Sequence, residues 1–550
     1  MEVKLIGGIS TGVANRLLLF FFFNLAGIVL GQAPSVDTVS SLAVQPGQTV
    51  RLVFSGKNLT NVSSLWASFP VFFEPVRTDL DKDDRATFDL TIPPEVPVQI
   101  GAVRLAGPKG LGPIRLLMID DLPNLKEVQG NHLVDSAQFV AGPIGIDGIG
   151  NGVQFDWFEF QVSKYESISF EVVANRLGSN FDPEVKLFDA TGQVLAKFGD
   201  SNGIAPDLQF RFQFANAGRY FLRLRDMAYQ GGRGSFFRLR IGGFPIVSGV
   251  YPQGGKFGEL VPFYPVSNQE LPPVLTIPSG SNFWINFKMK NGLGSAYRRF
   301  VGSVENNNYE IEPNNERLNA TIIDFPTVIN GRFEHQSDRD WFELKLDKGS
   351  RVKFEVATRR LGSPCDLFLS VFGSEGAVLA MSELIDTSDG ELSFEAKKKG
   401  IYYLEARELA DQFGKHLVYR INAKKELPSF NLTVDQQGFM AKAGEQISIK
   451  VNAKRFDYKG PIQLKSIGVA SAWKHEAATI EKGKNETTLK LTLPLDVKPG
   501  SLFDFTISGI GINGIDTVVK HSNSELLKKF QLMIPFPPVL ETRFHAVVVE

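Results

Sequence analysis

Six oxygen-bearing side chains crowd into two short stretches of this chain. Glu310, Glu312, Asn314 and Asn315 form the first, and Asp338 and Asp340 the second. Carboxylates, amide carbonyls and backbone carbonyls are hard donors, and calcium takes about six to eight of them at roughly 2.3–2.6 Å. A Glu-x-Glu-x-Asn-Asn segment folded back on an acidic loop would supply that set. The same residues also fit a plainer arrangement, a solvated acidic linker with an Asn turn. The outcome depends on the elements that carry them.

Other chemistry is thin. The histidines (His132, His335, His416, His475, His521 and His545) are scattered, with no helical His-Glu-x-x-His zinc motif and no Walker loop. Gly148-Ile149-Gly150-Asn151-Gly152 runs directly into a strand pattern at Trp157, so it reads as a glycine-rich β-loop and not a phosphate cradle. Asp338 and Asp340 have the residue types of a glycosidase pair, but nothing around them signals a cleft. No catalytic residue is assigned, and the chain is not expected to be an enzyme.

The acidic stretches flank Asp340-Trp341-Phe342-Glu343, which repeats Asp156-Trp157-Phe158-Glu159 at a spacing of 184 residues. The register holds without a gap over Asp156–Ala196 and Asp340–Ala380, with 18 identities in 41 positions, far above the level of unrelated sequences. A period this long means two whole domains. Within each copy apolar residues alternate with polar ones, as in Phe158/Phe160/Val162 and Phe342/Leu344/Leu346. That period of two belongs to strands covering one face of a core. The expected fold is all-β, with each copy a sandwich of jelly-roll type. Trp157/Trp341 and Arg176/Arg360 recur with it and read as structural: a Trp starting a core strand and an Arg fixing the Arg-Leu-Gly-Ser turn, pairing with Asp156 or Asp340.

Asn330-Gly331, Ser337-Asp338-Arg339-Asp340-Trp341-Phe342 and Arg360-Leu361-Gly362-Ser363 together resemble the bacterial pre-peptidase C-terminal domain, and Glu312-Pro313-Asn314-Asn315 resembles that family's entry motif. The resemblance implies a sandwich found in secreted proteins, often beside peptidases, and related to collagen- and carbohydrate-binding modules. It also implies a calcium site like that of the collagen-binding relatives, here at Glu310, Glu312, Asn314, Asn315, Asp338 and Asp340.

Residues 1–33 read as a signal peptide: Lys4 and Arg16 flank the apolar run Leu17–Phe23, and Gly31-Gln32-Ala33 offers a small-x-small cleavage site. The chain is expected to be secreted, periplasmic or at the cell surface, with no membrane span once the leader is removed. Residues 34–120 read as an immunoglobulin-like unit and 121–243 as the first copy, with Asp120-Asp121-Leu122-Pro123 as a linker. Residues 244–305 read as a small immunoglobulin-like unit, 306–425 as the second copy, 426–523 as another immunoglobulin-like sandwich and 524–550 as a tail. Basic and acidic residues balance at 59 and 60, without the basic face a nucleic-acid binder needs. Cys365, the single cysteine, reads as a small buried apolar residue.

The expected role is non-catalytic, binding an extracellular polymer (polysaccharide or protein) or other envelope proteins. An accessory subunit of an extracellular hydrolase, or an enzyme of unrecognised type, stays open as an alternative. Calcium is expected at the second copy only. Setting Glu127-Val128-Gln129-Gly130-Asn131 against Glu312-Pro313-Asn314-Asn315 leaves the first copy short of acids, and Gln154 falls opposite Asp338.

Overall fold

The structure is a computed structural model describing residues 33–77, 83–290, 292–382, 389–469, 473–513, 516–524, 537–538, 540 and 542–550. The expected leader, apart from Ala33, lies outside the described residues. Among those described the architecture is all-β, with four single-turn 3-10 helices and no α-helix. No helix among them is long and apolar enough to cross a membrane.

The first copy contributes β1 (Asn124–Lys126), β2 (Gln138–Val140), β3 (Ile144–Asn151), β4 (Asp156–Val162), β5 (Ser167–Val173), β6 (Pro183–Asp189), β7 (Val194–Phe198), β8 (Leu208–Gln213), β9 (Gly218–Asp226) and β10 (Gly231–Gly242). The second contributes β11 (Asn307–Tyr309), β12 (Thr321–Ile322), β13 (Thr327–Arg332), β14 (Arg339–Leu346), β15 (Arg351–Ala357), β16 (Leu367–Gly373), β17 (Val378–Met381), β18 (Glu391–Glu395), β19 (Gly400–Glu408) and β20 (Val418–Lys425). Each copy forms two five-stranded sheets. Their orders are β2-β4-β9-β6-β7 and β8-β5-β10-β3-β1 in the first, and β12-β14-β19-β16-β17 and β18-β15-β20-β13-β11 in the second. Adding ten to every label of one copy gives the other.

The alternation in the sequence explains these strands. In β14 Asp340, Phe342, Leu344 and Leu346 are buried while Trp341, Glu343 and Lys345 are not. Phe170 and Phe354 occupy matching positions, paired across the sheet with Phe210 and Ile241 in one copy and with Leu392 and Ala423 in the other. Both side chains are buried between the two sheets. Burying a Phe contributes about 1.5–3 kcal/mol of transfer free energy. Cys365 stands where the first copy has Phe181, and both are core residues, so the cysteine is a small packed side chain as expected.

The flanking units are smaller layers of strand. Between Ser35 and Ile119 two four-stranded sheets enclose Leu52, Phe54, Phe88, Leu105 and Leu117. Between Gly249 and Ser303 two three-stranded sheets enclose Phe263, Ile285 and Phe300. A ten-stranded sheet follows, folded around Phe430, Ile449, Trp473, Leu491 and Phe505. Its long strand Leu502–Asn513 joins Phe544–Val548 at one end and Ile462–Ile467 and Asp516–Ser524 further along.

Two expectations need correction here. The segment 524–550 is not simply a tail, because Phe544–Val548 is a buried strand between Gly438–Ala441 and Leu502–Asn513. Its run Phe-His-Ala-Val-Val has apolar side chains for both faces, as an interior strand requires. Nor is Asp120 part of a loose linker. It is fully buried and accepts hydrogen bonds from Arg238 and Arg240 of β10, at 2.8 and 3.1 Å, while Asp121 holds Ser295 of the middle unit.

Candidate metal centre

The second copy's acidic residues meet where the entry segment passes the start of β14. The Trp341 N–H donates to the Asn314 carbonyl at 3.1 Å, tying entry to strand, and the Asn314 N–H donates to Glu312 Oε2 at 2.9 Å. From the other side, the loop between β13 and β14 turns back on itself. Asp338 Oδ2 closes that turn by accepting from the backbone of Glu334 and His335, after Ser337 takes a left-handed φ of 59°. One carboxylate oxygen each from Glu312, Asp338 and Asp340 then lies within 4.8 Å of the others. Three carboxylate oxygens this close together could share one metal ion.

A second observation also points to a cation. Asp338 Oδ1, Asp340 Oδ1 and Asn314 Oδ1 are buried without hydrogen-bond partners. Buried polar atoms are ordinarily satisfied, and unpaired carboxylate oxygens on two neighbouring aspartates are what a cation resolves. Burial, then the charge of Glu310, raises the Asp340 pKa well above the usual carboxylate range.

The six expected ligands divide by position. Glu312, Asp338 and Asp340 form the cluster, and Asn314 joins it through its backbone bonds to Glu312 and to the start of β14. Glu310 stands behind them, with its carboxylate on the Arg332 N–H at 3.0 Å, and burial pushes its pKa up to about 8. Asn315 is exposed and caps the Arg339 N–H at 3.0 Å. Tyr419 of β20, which the sequence did not single out, donates to Asp340 Oδ2 at 2.5 Å and orients that carboxylate.

The first copy shows what has been lost. Its Glu127 accepts from the Ile149 N–H, as Glu310 does from that of Arg332, and the Asn131 carbonyl accepts from Trp157 at 2.8 Å. Glu127 is thus the counterpart of Glu310 and Asn131 that of Asn314, a register different from the sequence alignment above. Gln129 takes the place of Glu312 and His132 that of Asn315. His132 Nδ1 lies 3.4 Å from Asp156 Oδ1, so the retained acid faces an imidazole as well as the Glu127 carboxylate.

The repeated Trp and Arg are structural, but the Arg partners differ from those expected. Trp157 packs on Phe188 and Trp341 on Phe372. Arg176 is fully buried against Asp207 and Glu171, and Arg360 sits half-exposed 3.4 Å from Asp389. The shared partner comes from the segment just before β8 or β18, not from Asp156 or Asp340.

Fold and site together define an all-β, multi-unit chain with a duplicated two-layer unit and an acidic cradle in one copy. No family model matches the chain, and no curated protein matches it. Among solved structures it is similar to the pre-peptidase C-terminal domain of a collagenase from Bacillus anthracis, at 18% identity over 19% of this chain and 93% of that one, with a TM-score of 0.16. It is also similar to a Clostridium perfringens ZmpB structure containing an M60 catalytic domain and two CBM51 domains. That match has 10% identity over 73% of this chain and 55% of that one, with a TM-score of 0.14. At these scores neither likeness carries an argument.

Proposed function

We propose that this chain is an exported, non-catalytic binding protein. In this reading two jelly-roll units of the pre-peptidase C-terminal type stand among immunoglobulin-like units and hold an extracellular polymer. The strand order supports the jelly-roll assignment: β3-β10-β5-β8 facing β4-β9-β6-β7 is the arrangement of two interleaved Greek keys.

The observation that carries the proposal is one frame used twice, with a cradle of oxygen donors at one mouth only. Hard oxygen ligands favour calcium over softer, nitrogen- or sulfur-seeking metals. Glu312, Asp338, Asp340 and the Asn314 side-chain Oδ1 would hold the ion, which would fasten the entry segment to the β13–β14 loop. Its chemistry there is structural, neutralising buried carboxylates. The test is an array of polysaccharides and matrix proteins probed with the purified full chain, with calcium and with chelator. Specific retention on a polymer that remains intact is expected; cleavage of the polymer would contradict a non-catalytic role.

A further inference from the structure

A large cleft lies away from the acidic cradle, between the first unit and the first copy. It encloses about 890 Å³. Four cations line it: Arg85 and Arg115 from the first unit, Lys126 at the end of β1, and Arg233 on β10. Three carboxylates share the walls, each already engaged. Asp37 pairs with Arg233 at 3.2 Å. Asp147 is held by Arg238, the Ser41 hydroxyl and the Leu42 N–H. Glu127 is half-buried beside Asp156, and burial followed by that neighbour's charge favours its protonated form. Arg85 and Lys126 have no carboxylate partner among the described residues, and Arg115 Nε is buried without a hydrogen bond. A chain balanced overall thus leaves the Arg85 and Lys126 charges unpaired beside Arg115 in one concave place.

We infer that this cleft binds a segment of an acidic polysaccharide, with the Arg85, Arg115 and Lys126 cations meeting its carboxylate or sulfate groups. Guanidinium groups suit such planar or tetrahedral anions through paired hydrogen bonds. The walls between the cations carry Thr38, Ser40, Gln129 and Asn151, whose hydroxyls and amides match a hydroxyl-rich ligand. An acidic peptide would offer the anions without the hydroxyls. The inference rests on the polymer-binding reading and adds the site and the ligand class.

The test measures binding of the full chain to polygalacturonate, dextran sulfate, neutral dextran and poly-L-glutamate. One or both acidic polysaccharides should bind, more weakly as salt is added, and the two separate carboxylate from sulfate recognition. A double substitution of exposed residues, Arg85→Ser with Lys126→Ser, should weaken that binding at least tenfold, and Arg115→Gln should also weaken it. Equal binding by wild type and the double variant, or poly-L-glutamate or neutral dextran bound as tightly, would overturn the cleft while leaving polymer binding intact. Failure to retain any polymer, here and on the arrays, would overturn both.

Discussion

At the scale of single residues, the two copies hold the same buried acids in different company. In the first copy, burial and the neighbouring Asp156 push Glu127 up to about 8, and Asp156 is raised in turn by burial. The folded chain therefore binds more protons than the unfolded chain between the ordinary carboxylate range and about pH 8, so stability falls as pH rises through that window. Asp156→Asn removes the facing charge while keeping the shape. The first copy's melting temperature should fall between about pH 5 and about pH 8.5 in the wild type and fall less in the variant; equal slopes would contradict the assignment. Much of this was legible in the sequence, since Asp156 and Asp340 begin the repeated motif. The pairing of Glu127 with Glu310 was not. Fewer identities anchor the entry segments, and the turn before the strand differs by one residue. The Ile149 and Arg332 N–H bonds, with those of Trp157 and Trp341, fix the register.

At the scale of elements, alternation made the strands readable but not what packs against them. Asp120 follows a strand and precedes a proline, which reads as a linker, yet it neutralises Arg238 and Arg240 across more than a hundred residues of sequence. Arg176 extends the same buried layer, donating to the Tyr297 hydroxyl of the middle unit at 2.6 Å. Removing one member of such a layer leaves a buried charge uncompensated, which costs about 3–5 kcal/mol. Asp120→Ala should lower the unfolding midpoint of the first unit, first copy and middle unit together in denaturant titration. A change confined to the first unit would show that the layer does not couple them. The strand Phe544–Val548 was hidden for a similar reason, its partners at Gly438–Ala441 and Leu502–Asn513 being set by tertiary pairing.

At the scale of the whole molecule, the first and last units meet. Trp66 donates to Asp504 at 3.1 Å and packs edge-on to His545 at 4.4 Å, while Arg104 bonds to Gln437 and to His545 Nδ1. Burial, then the nearby charges of Arg104 and Arg543, holds His545 well below its ordinary pKa, so it is neutral when docked. Undocked, it takes up a proton below about pH 6.5. The undocked state then binds more protons, and docking weakens as pH falls through that value. Limited proteolysis should cut between the units faster at about pH 5 than at about pH 7.5, and His545→Gln should reduce the difference. Indifference to pH would contradict this. The cradle in the second copy remains the central claim, and calcium titration of the full chain by calorimetry and thermal unfolding tests it most directly. One site is predicted, abolished by Asp338→Asn and unaffected by Gln129→Ala. Saturation at a hundred times the dissociation constant should stabilise the second copy by about 2.7 kcal/mol. No heat and no shift, or two equivalent sites, would contradict it.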